Sequence, residues 1–359
     1  MSLRRRELLA GSVAMGALAG CAVPSVGGTS WPQAPADVPL RRIGFCSCID
    51  QTKPQPIWQT ILADRPQLFI FGGDNVYCEL PFTTERLRQA YALAAASPGM
   101  SQLRAGVAHM AIWDDHDYGL NDGGAEFPGK QASKAQFLDF WKVAADDPRR
   151  AREGLYHAQL FGPPGRQVQI ILLDGRWFRS PWKVTDRRNA AGKERYLRDA
   201  DPGKTVLGPV QWEWLQSQLR VPAQVRLIVS GIQVVADGHG WECWGNFPLE
   251  RERLYRLIAQ TGARGVVFLS GDRHVGALYR ETRGAPYPFH EMTSSGITHT
   301  WREAAEAGPN RLGELFTELH YGVVDLDWDA QTLRLALKDM QGAVQRSQLI
   351  RFTELQERS

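Results

Sequence analysis

Carboxylates and histidines recur in three short clusters along the chain, each directly after an apolar run. Asp74 follows two glycines and has Tyr77 three residues on, residues 114–117 read DDHD, and Asp272 and His274 are separated by one residue. Carboxylate, phenolate and imidazole groups are metal ligands, and mixed oxygen and nitrogen donors suit iron, manganese, zinc or calcium. The three clusters therefore predict a metal centre.

Electrostatics strengthens this interpretation. Three acidic residues surround His116 within four positions, and like charges held so close repel one another and raise their pKa values. A divalent or trivalent cation removes that cost. Asp272 and His274 alternate with one residue between them, so an extended segment would direct both side chains to one side.

Each cluster also has a simpler interpretation. Asp74 could be a turn residue after Gly72 and Gly73, residues 114–117 could be a solvated acidic loop, and His274 could be a hydrogen-bonded core histidine. A structural role does not explain why all three clusters follow buried strands, whose carboxyl ends in open α/β sheets are where sites form. A shared site is the better explanation.

Short apolar strands must carry these clusters, and they alternate with amphipathic stretches. The pattern predicts strands within 41–47, 68–75, 108–117, 167–176, 225–233 and 264–274, and helices within 56–64, 134–145, 209–219 and 248–262. It also predicts three β segments between His320 and Phe352, with turns at Asp329-Ala330 and Gly342. Alternation of strands and helices predicts an α/β layered domain. The final run of strands favours two mixed sheets packed together, flanked by helices, over one parallel sheet.

The first residues are typical of an export signal. Residues 4–9 read RRRELL, and an apolar stretch of small residues follows, too short to span a bilayer. This resembles a twin-arginine signal over residues 1–21, and Leu18-Ala19-Gly20-Cys21 resembles a lipobox that would make Cys21 a lipidated N-terminus. Residues 22–40, rich in Pro, Gly and Ser, predict a flexible linker to a single domain over 41–359. We therefore expect an exported protein, periplasmic or at the cell surface, anchored to the membrane by lipid after passage through the twin-arginine machinery.

The net charge of the folded body, residues 21–359, limits the classes of partner that we expect. The formal net charge of the 359 residues is +3, of which residues 4–7 contribute +2, so residues 21–359 carry +1. A body this close to neutral gives no electrostatic reason to expect nucleic acid as a partner. The five cysteines are an odd number, which suggests that at least one has a role other than a disulfide.

The ordered motifs resemble those of the PhoD-like alkaline phosphatases and phosphodiesterases, within the metallophosphoesterase superfamily. The matching segments run in the family's order from Arg41 to about Ile350: Ser47-Cys48, GGDNVY (72–77), IWDDHDYGLND (112–122), LLDGRWFRS (172–180), LGPVQWEWL (207–215), IVSGIQ (228–233), WGNFPLER (244–251) and FLSGDRH (268–274). The resemblance implies the family's layered fold.

The resemblance also implies a role for each matching residue. Family members use iron with calcium or another divalent ion, so these cofactors are expected here. The implied metal ligands are Cys48, Asp74 (bridging), Tyr77, Asp115, Asp272 and His274. His116 is implied to lie over the phosphate, where it would donate a proton to the leaving oxygen or hydrogen-bond it. Arg273 or Arg176 would clamp a non-bridging oxygen, and Asn75, Asn121 and Arg176 are candidates to bind substrate or support the ligands.

The implied activity is hydrolysis of phosphate mono- or diesters, of small-molecule or lipid origin, by a metal-activated water. The alternatives are an exported nuclease or phospholipase-type diesterase, or a surface lipoprotein that binds metal or phosphate without turnover. Some family members carry a further domain ahead of the catalytic one, whereas only a short linker precedes Arg41. A site enclosed by fewer elements would accept other esters.

Two features remain open in the sequence. Cys46 stands where relatives usually have glycine, so a disulfide from Cys46 to Cys78 or to Cys243 is an alternative to free thiols. Residues 178–206 are long and basic, and they are either a lid over the site or a surface excursion.

Overall fold

Two mixed β-sheets carry the predicted strands in the computed structural model, which describes residues 31–78, 80–306 and 308–357. The first sheet has the order β15-β14-β13-β1-β2-β3, in which β1 to β3 run parallel and β13 to β15 antiparallel. Its strands are β1 (Arg42–Cys46), β2 (Leu68–Gly72), β3 (Ala108–Ile112), β13 (His320–Asp327), β14 (Thr332–Asp339) and β15 (Val344–Arg351).

The second sheet has the order β12-β10-β11-β9-β8-β5-β4, with β5, β8, β9 and β11 parallel. Its strands are β4 (His157–Phe161), β5 (Val168–Leu172), β8 (Val225–Ser230), β9 (Val266–Ser270), β10 (Gly276–Glu281), β11 (Phe289–Ser294) and β12 (Arg311–Phe316). A separate two-stranded hairpin pairs β6 (Lys183–Val184) with β7 (Tyr196–Leu197).

In the part of the chain that the structure describes, eight α-helices connect these strands. They are α1 (Ile57–Ala63), α2 (Thr84–Ala96), α3 (Pro98–Gly106), α4 (Asp115–Tyr118), α5 (Lys130–Phe140), α6 (Pro148–Ala151), α7 (Gly208–Leu219) and α8 (Pro248–Thr261), with short 3₁₀ turns at Trp244–Asn246 and Phe352–Glu354. Helix α8 has Pro248 in its first turn, and Gly262 caps its C-terminal end. The φ of Gly262 is 62°, a left-handed conformation that glycine adopts without a steric cost.

The two sheets meet along β1, β11 and β13. The backbone N–H of Ser47, just after β1, donates to the carbonyl oxygen of Ser294 at the end of β11 (3.1 Å). Strands β2, β5, β8 and β9 are buried along their whole length, and they are mainly apolar on both faces, as the continuous apolar runs predict. Packing therefore brings the carboxyl ends of strands from both sheets to one region.

The layered α/β architecture confirms the predicted fold class. The three tail strands lie as expected, with the turns between them at 328–331 and 340–343. Helix α5 begins at Lys130 and ends at Phe140, earlier than predicted, because the chain turns at Lys142 with a φ of 47°. Helices α2 and α3 and the hairpin β6–β7 were not predicted from the sequence.

The predicted signal, with Cys21, and residues 22–30 of the predicted linker lie outside the described residues. From Trp31 onward the described residues form one compact unit. The Trp31 indole donates to the carbonyl oxygen of Trp141 (3.0 Å), and the guanidinium of Arg104 lies over its ring. Among residues 31–78, 80–306 and 308–357, no helix combines the length and the hydropathy needed to cross a membrane.

The four described cysteines form no disulfide. Cys46, Cys48, Cys78 and Cys243 are all buried and free, so neither alternative pairing of Cys46 is formed. Cys46 is the last residue of β1, a central strand of the first sheet. Cys243 lies in the loop between β8 and α8, where its thiol is 3.7 Å from Oδ1 of Asn246.

His320 at the start of β13 is fully buried, and burial lowers its pKa to about 4 from an ordinary 6.5. The unfolded chain binds the proton more readily, so this residue costs stability as the pH falls from about 6.5 to about 4. His320→Gln should therefore lose less stability than the wild type over this interval, by up to about 1.4 kcal/mol per pH unit. Urea unfolding of metal-free protein at pH 7, 6 and 5 measures the difference, and equal pH slopes would contradict it.

Candidate metal centre

The loops that carry the predicted ligands adopt an uncommon backbone conformation. Of nine described non-glycine residues with positive φ, five lie in this region: Cys48 (61°), Asp74 (50°), Asp122 (52°), Asp272 (69°) and His274 (54°). Such conformations cost free energy and persist where the surrounding structure imposes them, often at functional sites. The fold therefore fixes these side chains at the expense of local backbone strain.

Two glycines permit the close approach of these loops. Gly73 has a φ of 112°, and a Cβ there would lie 2.5 Å from the Cβ of Asp114. A Cβ at Gly231, after β8, would collide with the carboxylate of Asp114. Larger residues at either position would separate the loop after β2 or β8 from the loop after β3.

A first group of donors combines sulfur, nitrogen and oxygen. The ligand atoms of Cys48, Asp74 and His274 all lie within 4.8 Å of one another. Sγ of Cys48 is 3.4 Å from Oδ2 of Asp74, and Nε2 of His274 is 3.1 Å from the hydroxyl of Tyr77. These four side chains come from three separate strand ends, and the structure brings them together as the family resemblance implied.

A second group shares Asp74 with the first. Asp74, Asp115 and His116 form one set of ligand atoms within 4.8 Å, and Asp114, Asp115 and Asp272 form another. Asp74 therefore lies between a side with mixed donors and a side rich in carboxylates. The ring of His116 packs against Tyr77 with 4.1 Å between centroids.

Sequence reasoning missed three residues at this site. Asp122 and Glu242 form a further group with Asp115, and His299 lies beside Tyr77 and His274. Asp122 belongs to a recognised segment, so its position next to Asn121 was a usable signal. Glu242 and His299 lie in loops without any motif, and only the tertiary structure brings them here.

The electrostatics of the site favours a bound cation. Burial, together with neighbouring carboxylates, raises the pKa of Asp74 and Asp272 well above the ordinary value, and burial raises that of Asp114 to about 7 despite Arg176. Burial likewise raises the pKa of the Cys48 thiol. Cations near such groups stabilise their charged forms, so the donors present fit a metal centre.

Comparison with known proteins identifies the family. The model of the PhoD-like phosphatases matches residues 43–312. This chain belongs to the PhoD-like phosphatase family. Alkaline phosphatase D of Bacillus subtilis (strain 168) is 22% identical over 288 residues, which cover 69% of this chain and 48% of that protein. The chain thus spans about half the length of this curated relative.

Solved structures agree with the family's fold. The structure of PhoD superposes with a TM-score of 0.72 at 16% identity, covering 92% of this chain and 73% of that one. The purple acid phosphatase PPD1 from yellow lupin (Lupinus luteus) seeds gives a TM-score of 0.57 at 11% identity, covering 88% and 55%. Both likenesses concern the fold, and they confirm the predicted metallophosphoesterase-like architecture.

Arg176 of this PhoD-like chain lies beneath the site. It is fully buried, Nε donates to Oδ1 of Asp114 (2.6 Å), and Nη1 and Nη2 donate to the two carboxylate oxygens of Glu242 (2.9 and 2.8 Å). Its Nη2 is also 3.8 Å from Oδ1 of Asp115. These contacts make Arg176 the protein's own counter-charge for the acidic loops, and they support the ligands rather than reach outward.

Three further predicted residues have distinct surroundings. Arg273 pairs with Glu306 (2.7 Å), and its guanidinium lies 4.8 Å from the centroid of Trp241. Asn75 is buried and donates to Oδ2 of Asp117 (2.5 Å) and to a backbone carbonyl. Asn121 is exposed. In this structure Arg273 and Asn75 thus hold neighbouring loops together, and their predicted contacts with substrate stay predictions, as does that of Asn121.

The basic segment 178–206 is attached beside the site. The hydroxyl of Tyr196 donates to Oδ2 of Asp122 (2.6 Å), and its backbone N–H donates to the carbonyl of Gly240 (2.8 Å). Trp182 stacks on Phe247, with 4.5 Å between centroids. The segment is a hairpin fastened to two loops of the metal centre.

Loss of the buried guanidinium should destabilise the fold. Arg176→Met leaves Asp114 and Glu242 buried without their partner, so we expect the free energy of unfolding to fall by about 3–5 kcal/mol. Arg302→Met is the matched control, because it breaks an exposed pair with Glu318 (2.7 Å) and should cost at most about 1 kcal/mol. Urea denaturation of both variants tests this, and similar losses would show that the buried network does not carry stability.

Proposed function

We propose that this protein hydrolyses phosphate mono- or diesters at the metal centre. The observation that carries the proposal is the shared position of Asp74, between the donors Cys48 and His274 and the carboxylate group of Asp115. Membership of the PhoD-like phosphatase family supports the same reaction. The name of the Bacillus subtilis relative, alkaline phosphatase D, supports phosphate ester hydrolysis.

The types of donor atom support different metals on the two sides of Asp74. Thiolate, phenolate and imidazole donors (Cys48, Tyr77 and His274) suit iron, whereas the carboxylates of Asp115 and Asp272 suit calcium or another hard divalent ion. Bound cations would lower the pKa of a coordinated water and neutralise phosphoryl oxygens.

The chain's own groups perform the remaining tasks. His116, whose ring packs against Tyr77, would donate a proton to the leaving oxygen, a contribution of about 10²–10⁴-fold to the rate. Arg176 holds the carboxylates of Asp114 and Asp115 in place, which limits their movement as charge develops on the substrate. The near-neutral body favours small or lipid esters over nucleic acid.

Asp74→Asn tests the proposal directly. Loss of the carboxylate that both donor groups share should lower the hydrolysis of p-nitrophenyl phosphate and bis(p-nitrophenyl) phosphate by at least about 10³-fold, and elemental analysis should find less iron and divalent metal. The exposed carboxylate variant Asp146→Asn is the control and should behave as the wild type. The ratio of the two rates in the wild type gives the preference for monoester or diester.

Two outcomes would overturn the proposal. Near-normal turnover in Asp74→Asn would exclude this site, and wild-type protein that holds metal without hydrolysing either ester would favour a non-catalytic lipoprotein. DNA and phospholipid as substrates distinguish the nuclease and the phospholipase-type alternatives.

We further propose export through the twin-arginine machinery and a lipid anchor at Cys21, supported by the sequences RRRELL and LAGC. Replacing Arg5 and Arg6 by lysine should retain the protein in the cytoplasm, whereas Arg4→Lys should not. Cys21→Ala should release exported protein from the membrane fraction. Cell fractionation and immunoblotting measure both effects, and unchanged export of the double variant would contradict the proposed route.

A further inference from the structure

His299 lies in the loop after β11 and has no part in the proposed mechanism. Its Nε2 is 3.2 Å from Nε2 of His274 and 3.4 Å from the hydroxyl oxygen of Tyr77. The latter two atoms are 3.1 Å apart. Three side chains from three different loops thus converge in a triangle of donor atoms.

The neighbouring hydroxyl of Thr298 determines which ring nitrogen of His299 carries the proton. Its Oγ1 donates to the carbonyl oxygen of Cys48 (3.0 Å), which can only accept, and it accepts from the backbone N–H of Asp50 (2.9 Å). The hydroxyl has one proton, and that proton is already used. Nδ1 of His299, 2.9 Å away, must therefore be the donor to Thr298, and the neutral ring has its lone pair on Nε2.

That lone pair faces two atoms that the proposed function makes metal ligands. Bound to a cation, the phenolate of Tyr77 and Nε2 of His274 have no proton to offer His299. The three atoms are then all lone-pair donors, and none is more than 3.4 Å from the other two. Such atoms repel one another unless they share a positive ion. A common ion converts this repulsion into attraction.

The distances agree with a shared ion. Ligands about 2.0–2.1 Å from one metal are separated from their neighbours by ~3.0 Å in octahedral geometry and ~3.4 Å in tetrahedral geometry. The three edges observed, 3.1, 3.2 and 3.4 Å, span this interval. A hydrogen bond from Nδ1–H to an oxygen acceptor is the usual support of a metal-binding histidine.

We propose that His299 is a further ligand of the ion held by Tyr77 and His274, and that Thr298 is its positioning residue. This inference rests on the proposed function, because it needs Tyr77 and His274 to bind metal. Thr298 links the two halves of the arrangement, since one hydroxyl contacts both the ring of His299 and the backbone of Cys48.

Metal affinity and the visible spectrum test the proposal without recourse to turnover. Metal-depleted protein is titrated with Co²⁺ against a competing chelator, and the absorption bands of the bound cobalt report the number and type of its ligands. Thr298→Val should weaken Co²⁺ binding by about 10- to 100-fold, and His299→Ala at least as much, with altered bands. Thr300→Val is the matched control, because this hydroxyl in the same loop donates to the carbonyl of Thr317.

The outcomes separate this inference from the proposed function. Wild-type affinity and bands in His299→Ala, with normal binding in the wild type, would overturn the role of His299 alone. Wild-type protein that binds no Co²⁺ would overturn both proposals. His299→Gln retains a hydrogen-bonding amide without the imidazole, so wild-type spectra in that variant would assign His299 a hydrogen-bonding role and also overturn the proposal. Unfolding midpoints confirm that each variant is folded.

Discussion

Confinement of several carboxylates in a space that excludes water is the constraint on which this structure depends. Asp74, Asp114, Asp115 and Glu242 are each at most 2% exposed, and buried carboxylates are costly unless positive charge compensates them. Arg176 supplies positive charge from below and pairs with Asp114 and Glu242. The remaining donor atoms form groups that could hold metal ions. Arg176 and bound cations would then together neutralise the buried negative charge.

The packing of the two sheets confines the carboxylates, because it brings the strand ends that carry them together. Parallel strands β2 and β3 of one sheet and β8 and β9 of the other end in the same region. The ligand loops consequently hold residues such as Asp272 and His274 with positive φ. The extensive apolar core supplies the stability that offsets this local strain. Rigid strands and strained loops together leave the ligands little freedom before metal arrives.

Local pattern predicted much of the fold and part of the site. Continuous apolar runs predicted the buried strands, and the helix α8 was recognisable from Pro248 and Gly262. Helices α2 and α3 were missed although they are nine residues or longer. The hairpin β6–β7 was missed because two-residue strands leave no periodic signal. Glu242 and His299 were missed because a single residue in a loop has no pattern.

The sequence by itself determined the ligand types, their order and the strands that precede them, because hydrophobic periodicity and residue chemistry are local properties. Only the tertiary structure decided which donor atoms lie close enough to share an ion. It turned Arg176 inward to Asp114 and Glu242 and left Cys46 unpaired in its strand. It also placed Nε2 of His299 beside Tyr77, 222 residues away in the chain. Such contacts depend on how two sheets pack, and packing is a property of the whole chain.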